Sequence, residues 1–230
     1  MTGKKSPRSG VVFVLSAPSG TGKTTLTRRL ARRVSGLRFS VSFTTRPPRP
    51  GEREGVDYHF VTRETFQRLR RRKAFLEWAR VDGELYGTSR DQVLRSLARG
   101  DDLLLEIDTQ GAEQVRRRLR GAVLIFILPP GPLDLRRRLL RRGAEPEVLA
   151  RRLALARREV PQYRSYDYLV LNDRVETATR DLQAIVRAEH CRVQRQASKG
   201  RRILREFRMG GANPAKPRAL SPTMRKEITG

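Results

Sequence analysis

The chain has 230 residues, of which 50 are Lys or Arg and 24 are Asp or Glu, so its formal net charge is +26. This length fits one ordinary domain with a substantial core and subdomains carried as insertions. No apolar run approaches the ~18 residues of a membrane span, and the single cysteine, Cys191, excludes an internal disulfide. We therefore expect a cytoplasmic protein with no membrane contact.

The excess of basic residues favours a nucleic-acid partner, because clustered cations release counterions when they meet a phosphate backbone. However, only seven of the 50 basic residues are Lys, and the arginines are spread over most helical segments. Charge runs on helices are usually solvent-exposed faces. We therefore interpret the excess as a preference for Arg on solvated faces, and the sequence leaves nucleic-acid contact by a basic tail open.

Residues 1–10 are polar and basic, which predicts a disordered arm. From there to residue 196, short and nearly continuous apolar runs alternate with helical segments. This pattern is typical of a doubly wound α/β fold, in which helices cover both faces of a parallel sheet. The predicted strands are residues 11–16, 37–43, 103–108, 123–128 and 168–171. The main predicted helices are residues 24–34, 112–119 and 175–196.

Residues 42–99 interrupt this alternation, because prolines and glycines at positions 47–55 prevent helix formation there. Short strand-like runs follow at residues 58–61, 75–81 and 84–88. Ser89 stands three residues before Gln92, a spacing that predicts a capped helix as far as about Arg99. We expect an inserted subdomain.

Residues 132–166 form a second interruption, which is rich in Arg and in helix-forming residues. Pro146 is placed to open a helix, and Gly143 separates two helical halves. This composition predicts a helical lid. Residues 197–230 lose the apolar periodicity and contain proline and glycine among Lys and Arg, which predicts a basic, disordered tail.

A glycine-rich segment joins the first predicted strand to the first predicted helix. Its residues are Ala17, Pro18, Ser19, Gly20, Thr21, Gly22, Lys23, Thr24 and Thr25. Gly20 and Gly22 let successive backbone N–H groups turn inward around a phosphate, and the helix that follows points its positive end at the anion. This context predicts a P-loop that binds ATP, in which Lys23 contacts the β- and γ-phosphates and the Thr24 hydroxyl ligates Mg²⁺.

The alternative is a turn that only connects strand and helix. Ala17 stands where the usual P-loop pattern has glycine, but the two glycines nearest the phosphate are present. Lys23 also argues against the alternative, because it is a compact point charge in a chain that otherwise uses Arg.

Several separate motifs, in the right order, resemble those of guanylate kinases between residues 11 and 195. They are SVSFTTRPPRPGE at residues 40–52, GVDYHF at 55–60, FLEWA at 75–79, YGTS at 86–89 and LEIDTQG at 105–111. These enzymes are P-loop nucleoside monophosphate kinases. The resemblance therefore implies Mg²⁺-dependent transfer of the γ-phosphate of ATP to GMP, with dGMP as a further acceptor.

The resemblance also assigns residues to each substrate. For GMP it implies Ser42, Arg46, Arg49, Tyr58, Glu77, Tyr86, Gly87, Thr88, Glu106 and Asp108. For ATP it implies the P-loop together with Asn172. The catalytic cations that it implies are Lys23, Arg46, Arg138, Arg142 and Arg152.

The chemistry of these residues agrees with a guanine nucleotide as the acceptor. Two guanidinium groups and a phenol, fixed by prolines around a turn, suit a dianionic monophosphate. The Glu77 carboxylate can accept the N1–H and N2–H₂ donors of guanine together, while the hydroxyls of Ser42 and Thr88 suit its O6. Adenine would leave the buried carboxylate facing a lone pair, so AMP should be excluded.

Several alternatives stay open at this point. Arg46 and Arg49 are also compatible with surface charges at a turn, Glu77 with a strand side chain that points to solvent, and the lid arginines with charges on a helix face. Three positions depart from the usual family pattern: Leu85, Glu106 and Thr109.

Three other functions were weighed against the kinase. A non-catalytic module with the same fold would have no need of Lys23, and a sugar-phosphate kinase would have no need of Glu77 and Thr88. A nucleic-acid-binding protein is favoured by charge alone, because the chain has no recognised nucleic-acid-binding motif. The sequence leaves a homo-oligomer open.

Overall fold

The structure, a computed structural model, describes residues 10–210. The strands are β1 Val12–Ser16, β2 Leu37–Phe39, β3 Ser42–Thr44, β4 Tyr58–Phe60, β5 Phe75–Val81, β6 Glu84–Ser89, β7 Asp102–Glu106, β8 Val123–Leu128 and β9 Tyr168–Leu171. The helices are α1 Lys23–Arg33, α2 Arg63–Arg71, α3 Arg90–Ala98, α4 Thr109–Arg118, α5 Pro132–Leu140, α6 Pro146–Glu159, α7 Val175–Cys191 and α8 Val193–Gly210, with a 3₁₀ segment at Val160–Ser165.

A five-stranded parallel sheet in the order β2-β7-β1-β8-β9 forms the core. All five residues of β1 are buried, because the strand has a neighbour on each side and helices on both faces. Phe13 packs with residues of α1 and α7, whereas Val14 packs with residues of α3 and α4. The predicted doubly wound α/β fold is confirmed, and the carboxyl ends of its strands meet at one edge.

A second sheet in the order β4-β3-β6-β5 lies within the insertion. It has a small apolar core of its own, around Phe66, Phe75 and Leu85. The Ser89 hydroxyl accepts a hydrogen bond from the Gln92 N–H and begins α3, as predicted. The insertion therefore has a core of its own, while Leu76 of β5 and Val93 of α3 pack against the parallel sheet.

The prediction of one strand over residues 37–43 was wrong. Residues 37–39 pair with β7 in the core sheet, whereas residues 42–44 pair with β4 and β6 in the second sheet. The chain changes sheet at Ser40 and Val41, and hydrophobic pattern alone does not reveal a change of pairing partner.

The lid consists of α5 and α6, which share a small core of Leu135, Leu139, Leu149 and Ala156. Gly143 lies between the two helices with φ 71°, in the left-handed region that favours glycine. Pro146 occupies the first turn of α6, where its missing N–H has no intrahelical partner to lose. The predicted helical lid is therefore present.

The prediction of a disordered tail from residue 197 was wrong for its first part, because α8 continues to Gly210. Arg, Gln, Ala and Leu are good helix formers, and Arg202 and Glu206 form an i,i+4 pair within the helix. Within the described residues, contacts between Cα atoms divide the chain into two compact units, residues 10–189 and residues 190–210. The predicted arm and the end of the tail fall largely on residues 1–9 and 211–230, outside the described residues. Over residues 10–210, no helix is long and apolar enough to cross a membrane.

Replacing Leu104 tests the core directly. Its side chain is fully buried on β7, so Leu104→Ala should lower the free energy of unfolding by about 2–5 kcal/mol, since it loses apolar burial and leaves a cavity. Leu133→Ala, on an exposed side chain of α5, should stay within about 0.5 kcal/mol of wild type. Urea unfolding measures both, and equal losses would contradict the assignment of Leu104 to the core.

Candidate active site

The loop between β1 and α1 has the backbone conformation that a phosphate cradle needs. Gly20 and Gly22 have φ values of 89° and 97°, which non-glycine residues rarely adopt. A Cβ at Gly22 would lie 2.7 Å from the Asn172 amide nitrogen, and a Cβ at Gly20 would lie 2.7 Å from a methyl group of Leu139. Neither glycine can therefore be replaced without moving a neighbour.

Two side chains from outside the loop hold its backbone in place. The Asn172 amide donates to the Thr21 carbonyl at 2.6 Å, and the Arg138 guanidinium donates to the same carbonyl at 2.9 Å. Arg138 also donates to the carbonyl of Asn172 at 2.7 Å. Both residues support the loop in this structure, and their predicted roles, ATP binding for Asn172 and catalysis for Arg138, stay predictions.

A cavity of about 270 Å³ lies over the loop. Its cationic lining includes Lys23 and, from the lid, Arg142 and Arg152. The Lys23 ammonium donates to the Ile107 carbonyl at 3.1 Å, which keeps it at the carboxyl end of β7. The predicted P-loop lysine and two of the predicted lid arginines are thus brought together around one space.

The Thr24 hydroxyl donates to a carboxylate oxygen of Glu106 at 2.6 Å. In the part of the chain that the structure describes, no cluster of three or more His, Cys, Asp or Glu side chains could bind a metal. Mg²⁺ usually takes one or two carboxylates together with substrate phosphates and water. Thr24 and Glu106 fit that donor set, and Glu106 is a metal-site candidate that the sequence interpretation had assigned to GMP alone.

A second cavity, of about 220 Å³, is lined by Ser42 and Glu77, two of the three predicted guanine-reading residues, whereas the third, Thr88, is fully buried and does not line it. Glu77 is only 2% exposed, and Thr88 donates a hydrogen bond to its carboxylate at 2.5 Å. The Ser42 hydroxyl lies 3.4 Å from that of Thr88. Burial raises the pKa of the Glu77 carboxyl to about 7, and the charge of Asp108 adds to the shift while the bond from Thr88 opposes it. Glu77 points inward, so the alternative of a solvent-facing strand residue is wrong.

A third cavity, of about 680 Å³, contains the predicted monophosphate ligands Arg46, Arg49 and Tyr58. One guanidinium nitrogen of Arg46 lies 2.9 Å from both carboxylate oxygens of Glu52, and the guanidinium lies 5.4 Å from the centre of the Tyr58 ring. Burial raises the pKa of the Tyr58 hydroxyl to about 12. The Arg46 side chain is therefore held by specific contacts, unlike a free surface charge. Tyr86 lies beside Tyr58, with 5.9 Å between the two ring centres.

Gly87 has a different surrounding from the one the sequence implied. A Cβ there would lie 3.0 Å from the Phe75 ring and 3.1 Å from that of Phe66. The glycine thus permits close packing of the insertion, and its predicted contact with GMP stays a prediction.

Sequence reasoning missed three residues. Gly111 allows Glu77 to approach, since a Cβ there would lie 2.5 Å from its carboxylate, and Glu52 holds Arg46. Glu159, the last residue of α6, lines the phosphate cavity, and burial raises the pKa of its carboxyl to about 7. A carboxylate in the last turn opposes the helix dipole, and that unfavourable placement was the available signal.

Burial of the Glu77 carboxyl should make stability depend on pH. Its pKa is raised from 4.5 to about 7, so the unfolded chain loses this proton at lower pH than the folded chain does. As the pH rises from 4.5 to 8, the free energy of unfolding of the wild type should therefore fall relative to that of Glu77→Gln, by up to about 3 kcal/mol. Urea unfolding without nucleotide measures the difference, and a gap that does not change with pH would contradict it.

Comparison with known proteins identifies the family. Residues 9–189 match the family model described as guanylate kinase. A guanylate kinase of Alkalilimnicola ehrlichii is 53% identical over 188 residues, which are 81% of this chain and 93% of the relative. One of Thiobacillus denitrificans is 48% identical over 209 residues, 90% of this chain and 99% of the relative. The crystal structure of guanylate kinase from Anaplasma phagocytophilum aligns with a TM-score of 0.69 at 36% identity, covering 82% of this chain and 90% of that one. These similarities confirm the resemblance that the motifs carry, and the chain belongs to the guanylate kinase family.

Proposed function

We propose that the residues around the three cavities divide the guanylate kinase reaction between them, with ATP over the P-loop and GMP under the insertion. The chain is a nucleoside monophosphate kinase, an ATP:GMP phosphotransferase. The assignment of individual residues is the proposal, and it rests on where the structure places them.

One observation carries the assignment: Glu106 lines all three cavities. Lys23 lines both the phosphate cavity and the guanine cavity. A donor phosphate at the P-loop and an acceptor phosphate at Arg46 can therefore approach each other across Glu106 and Lys23. In-line phosphoryl transfer needs this positioning and charge neutralisation more than covalent chemistry by the protein.

The two phosphate groups are held by different means. The P-loop N–H groups and Lys23 hold the phosphates of ATP. Arg46, Arg49 and the neutral Tyr58 hydroxyl hold the dianionic monophosphate, and Glu52 keeps Arg46 in the orientation to do so. Desolvated cations stabilise the charge that develops in the transition state.

Mg²⁺ would be held by Thr24 and Glu106 together with phosphate oxygens of ATP. When bound, the ion neutralises phosphate charge and fixes the geometry of the donor. Thr24 already lies within hydrogen-bond distance of Glu106. That contact places both oxygens on one side of the phosphate cavity.

Guanine is selected by Glu77, Thr88 and Ser42. The carboxylate accepts from N1–H and N2–H₂, the buried Thr88 hydroxyl orients the carboxylate by donating to it, and the Ser42 hydroxyl, which lines the cavity, suits O6. In the guanine complex a charged carboxylate facing two donors is favoured over the protonated form. Binding of GMP should therefore release the proton that burial holds on Glu77.

Three lid arginines line the phosphate cavity: Arg142, Arg151 and Arg152. Arg151 is paired with Asp82 at 3.5 Å, so we assign Arg142 and Arg152 to the migrating phosphoryl group. Closure of the lid would bring them onto the group and exclude water. Activity with dGMP and a cytoplasmic location stay predictions from the sequence, which leaves a homo-oligomer and nucleic-acid contact open.

The acceptor assignment is tested by Glu77→Gln. The amide places an NH₂ against a guanine donor, which should cost roughly 2–4 kcal/mol in kcat/KM for GMP. Inosine monophosphate lacks the N2 amino group, so its kcat/KM should fall less than that of GMP on the same substitution. Steady-state kinetics with both acceptors measure the difference between them.

ATP affinity serves as the control for folding and should be almost unchanged in Glu77→Gln. Equal losses for GMP and inosine monophosphate, or no loss for either, would mean that Glu77 does not read the guanine edge. The family's reaction would then stand, but the residue assignment would not.

Removal of residues 193–230 tests whether α8 and the segment after it contribute to the reaction. All residues that line the three cavities precede α7, so kcat/KM for GMP should stay within about tenfold of the full chain, equivalent to ~1.4 kcal/mol. A larger loss in a chain that still unfolds cooperatively would show that this region helps to form the active site.

A further inference from the structure

A fourth cavity, of about 400 Å³, lies away from the three already described and shares no lining residue with them. We call it the basic cavity. It forms where the end of α2, strand β5, the start of α3 and the end of α4 meet. Its lining residues are Arg70, Lys73, Phe75, Leu76, Trp78, Arg90 and Arg118.

Four of these seven residues are cations, and no carboxylate lines the cavity. Among the described residues, no carboxylate forms an ion pair with Arg70, Lys73, Arg90 or Arg118. Arg118 donates to the Leu76 carbonyl at 2.7 Å, which fixes its position but leaves its charge without a counterion. The neighbouring Arg117, by contrast, pairs with Glu113 at 2.7 Å. Like charges around one concave space repel each other, and a bound anion would relieve that repulsion.

The opposite wall is apolar and aromatic. Phe75 and Leu76 are buried, and Trp78, the only tryptophan of the chain, is partly buried. The Arg70 guanidinium lies 4.8 Å from the centre of the Trp78 ring. Aromatic rings interleaved with arginines are typical of sites that stack a base and hold its phosphates. The volume limits the occupant to a small molecule.

Lys73 adds an independent observation. It follows α2 with φ 54°, and the bonds from Lys73 N–H to the Arg70 carbonyl and from Ala74 N–H to the Leu69 carbonyl form a Schellman motif. Glycine normally occupies this left-handed position, and another residue there is strained. The other non-glycine with positive φ among residues 10–210 is Asp82, in a turn that tolerates Asp. The fold does not require Lys73, yet its side chain lines the basic cavity.

We propose that the basic cavity is a second nucleotide site, which takes a nucleoside phosphate with its base against Trp78 and its phosphates among the four cations. The backbone N–H of Trp78 donates to the Gln114 side-chain oxygen at 3.3 Å, and the Gln114 amide donates to the backbone carbonyl of Trp78 at 2.6 Å. Glu77 precedes Trp78 on the same strand. A ligand that contacts Trp78 would therefore contact a residue that is bonded to Gln114 of α4 and is adjacent in β5 to Glu77.

Binding is measured on the full chain with the active site already filled. A bisubstrate in which adenosine and guanosine are joined by a pentaphosphate is added to saturation, and GTP is then titrated by calorimetry and by Trp78 fluorescence. The proposal requires a further saturable binding event that weakens as salt is added. No such event up to millimolar GTP would overturn it.

The Lys73→Gly variant separates binding from structure. Glycine relieves the left-handed strain, so Tm should rise by about 2–4 °C while GTP binding at this site falls roughly tenfold or more. Arg70→Gln should also weaken GTP binding. Its matched control, Arg71→Gln, removes the same charge from the next residue, which does not line the cavity, and should bind as wild type does. Equal losses in Arg70→Gln and Arg71→Gln would reduce the effect to general charge and overturn the site.

Two further probes define the ligand class. Tripolyphosphate should bind more weakly than GTP, because it has no base to meet Trp78. If it binds as tightly as GTP, or if only an RNA oligonucleotide binds, the cavity is not a nucleotide site.

Discussion

The carbonyl of Thr21 is the point on which the phosphate site depends. A phosphate cradle needs several N–H groups turned inward, so the carbonyls of the same peptides must find partners elsewhere. Asn172 and Arg138 both donate to the Thr21 carbonyl, one from the end of β9 and the other from the lid helix α5. The loop is therefore held by the core sheet and by the lid at the same peptide group. This contact also couples the lid to the P-loop before any nucleotide is bound.

The guanine site has the opposite energetic character. A buried carboxyl whose pKa is raised to about 7 destabilises the empty protein near neutral pH, because the charged form has lost its water. In the proposed complex with GMP, the donors of guanine would replace that water. Glu77 would then lower the stability of the empty protein and raise its selectivity for guanine, whereas the hydrogen bonds to the Thr21 carbonyl hold the backbone of the P-loop.

The parts of the fold that were predictable from sequence have local signals. The strand at residues 123–128, the capped helix after Ser89 and the P-loop glycines each follow from neighbouring residues alone. The split strand at residues 37–43 did not, because two short segments of similar hydrophobicity pair in different sheets. The sequence interpretation ended the helical region too early. Residues of high helix propensity extend α8, and they do so without a buried apolar face that a hydrophobic pattern would reveal.

The contacts of several site residues could not be predicted from the sequence for a similar reason. The contacts of Asn172 and Gly87 join residues far apart in the chain, and only the fold shows that one supports the P-loop and the other admits two aromatic rings. Glu52 lies within one of the family motifs, but its bond to Arg46 depends on the turn between them. A resemblance to a family identifies which positions are functional, whereas the contact partners of each position are known only from the packing.

Carboxylates are the informative residues of this chain because they are scarce. With 24 acidic against 50 basic residues, an arginine without an ion-pair partner is ordinary. Arginine indicates a site only where another feature accompanies it, as the aromatic wall does in the basic cavity. Glu77 and Glu159, by contrast, are both buried, and each lines one of the cavities around Glu106. Burial of a carboxylate is unfavourable unless a cation or hydrogen-bond donors approach it. Asp102 and Glu189 are buried as well, but they accept hydrogen bonds within the core, from the Val11 N–H and the Tyr168 hydroxyl. A buried acid that lines a cavity is therefore the one that indicates where substrates and their cations bind.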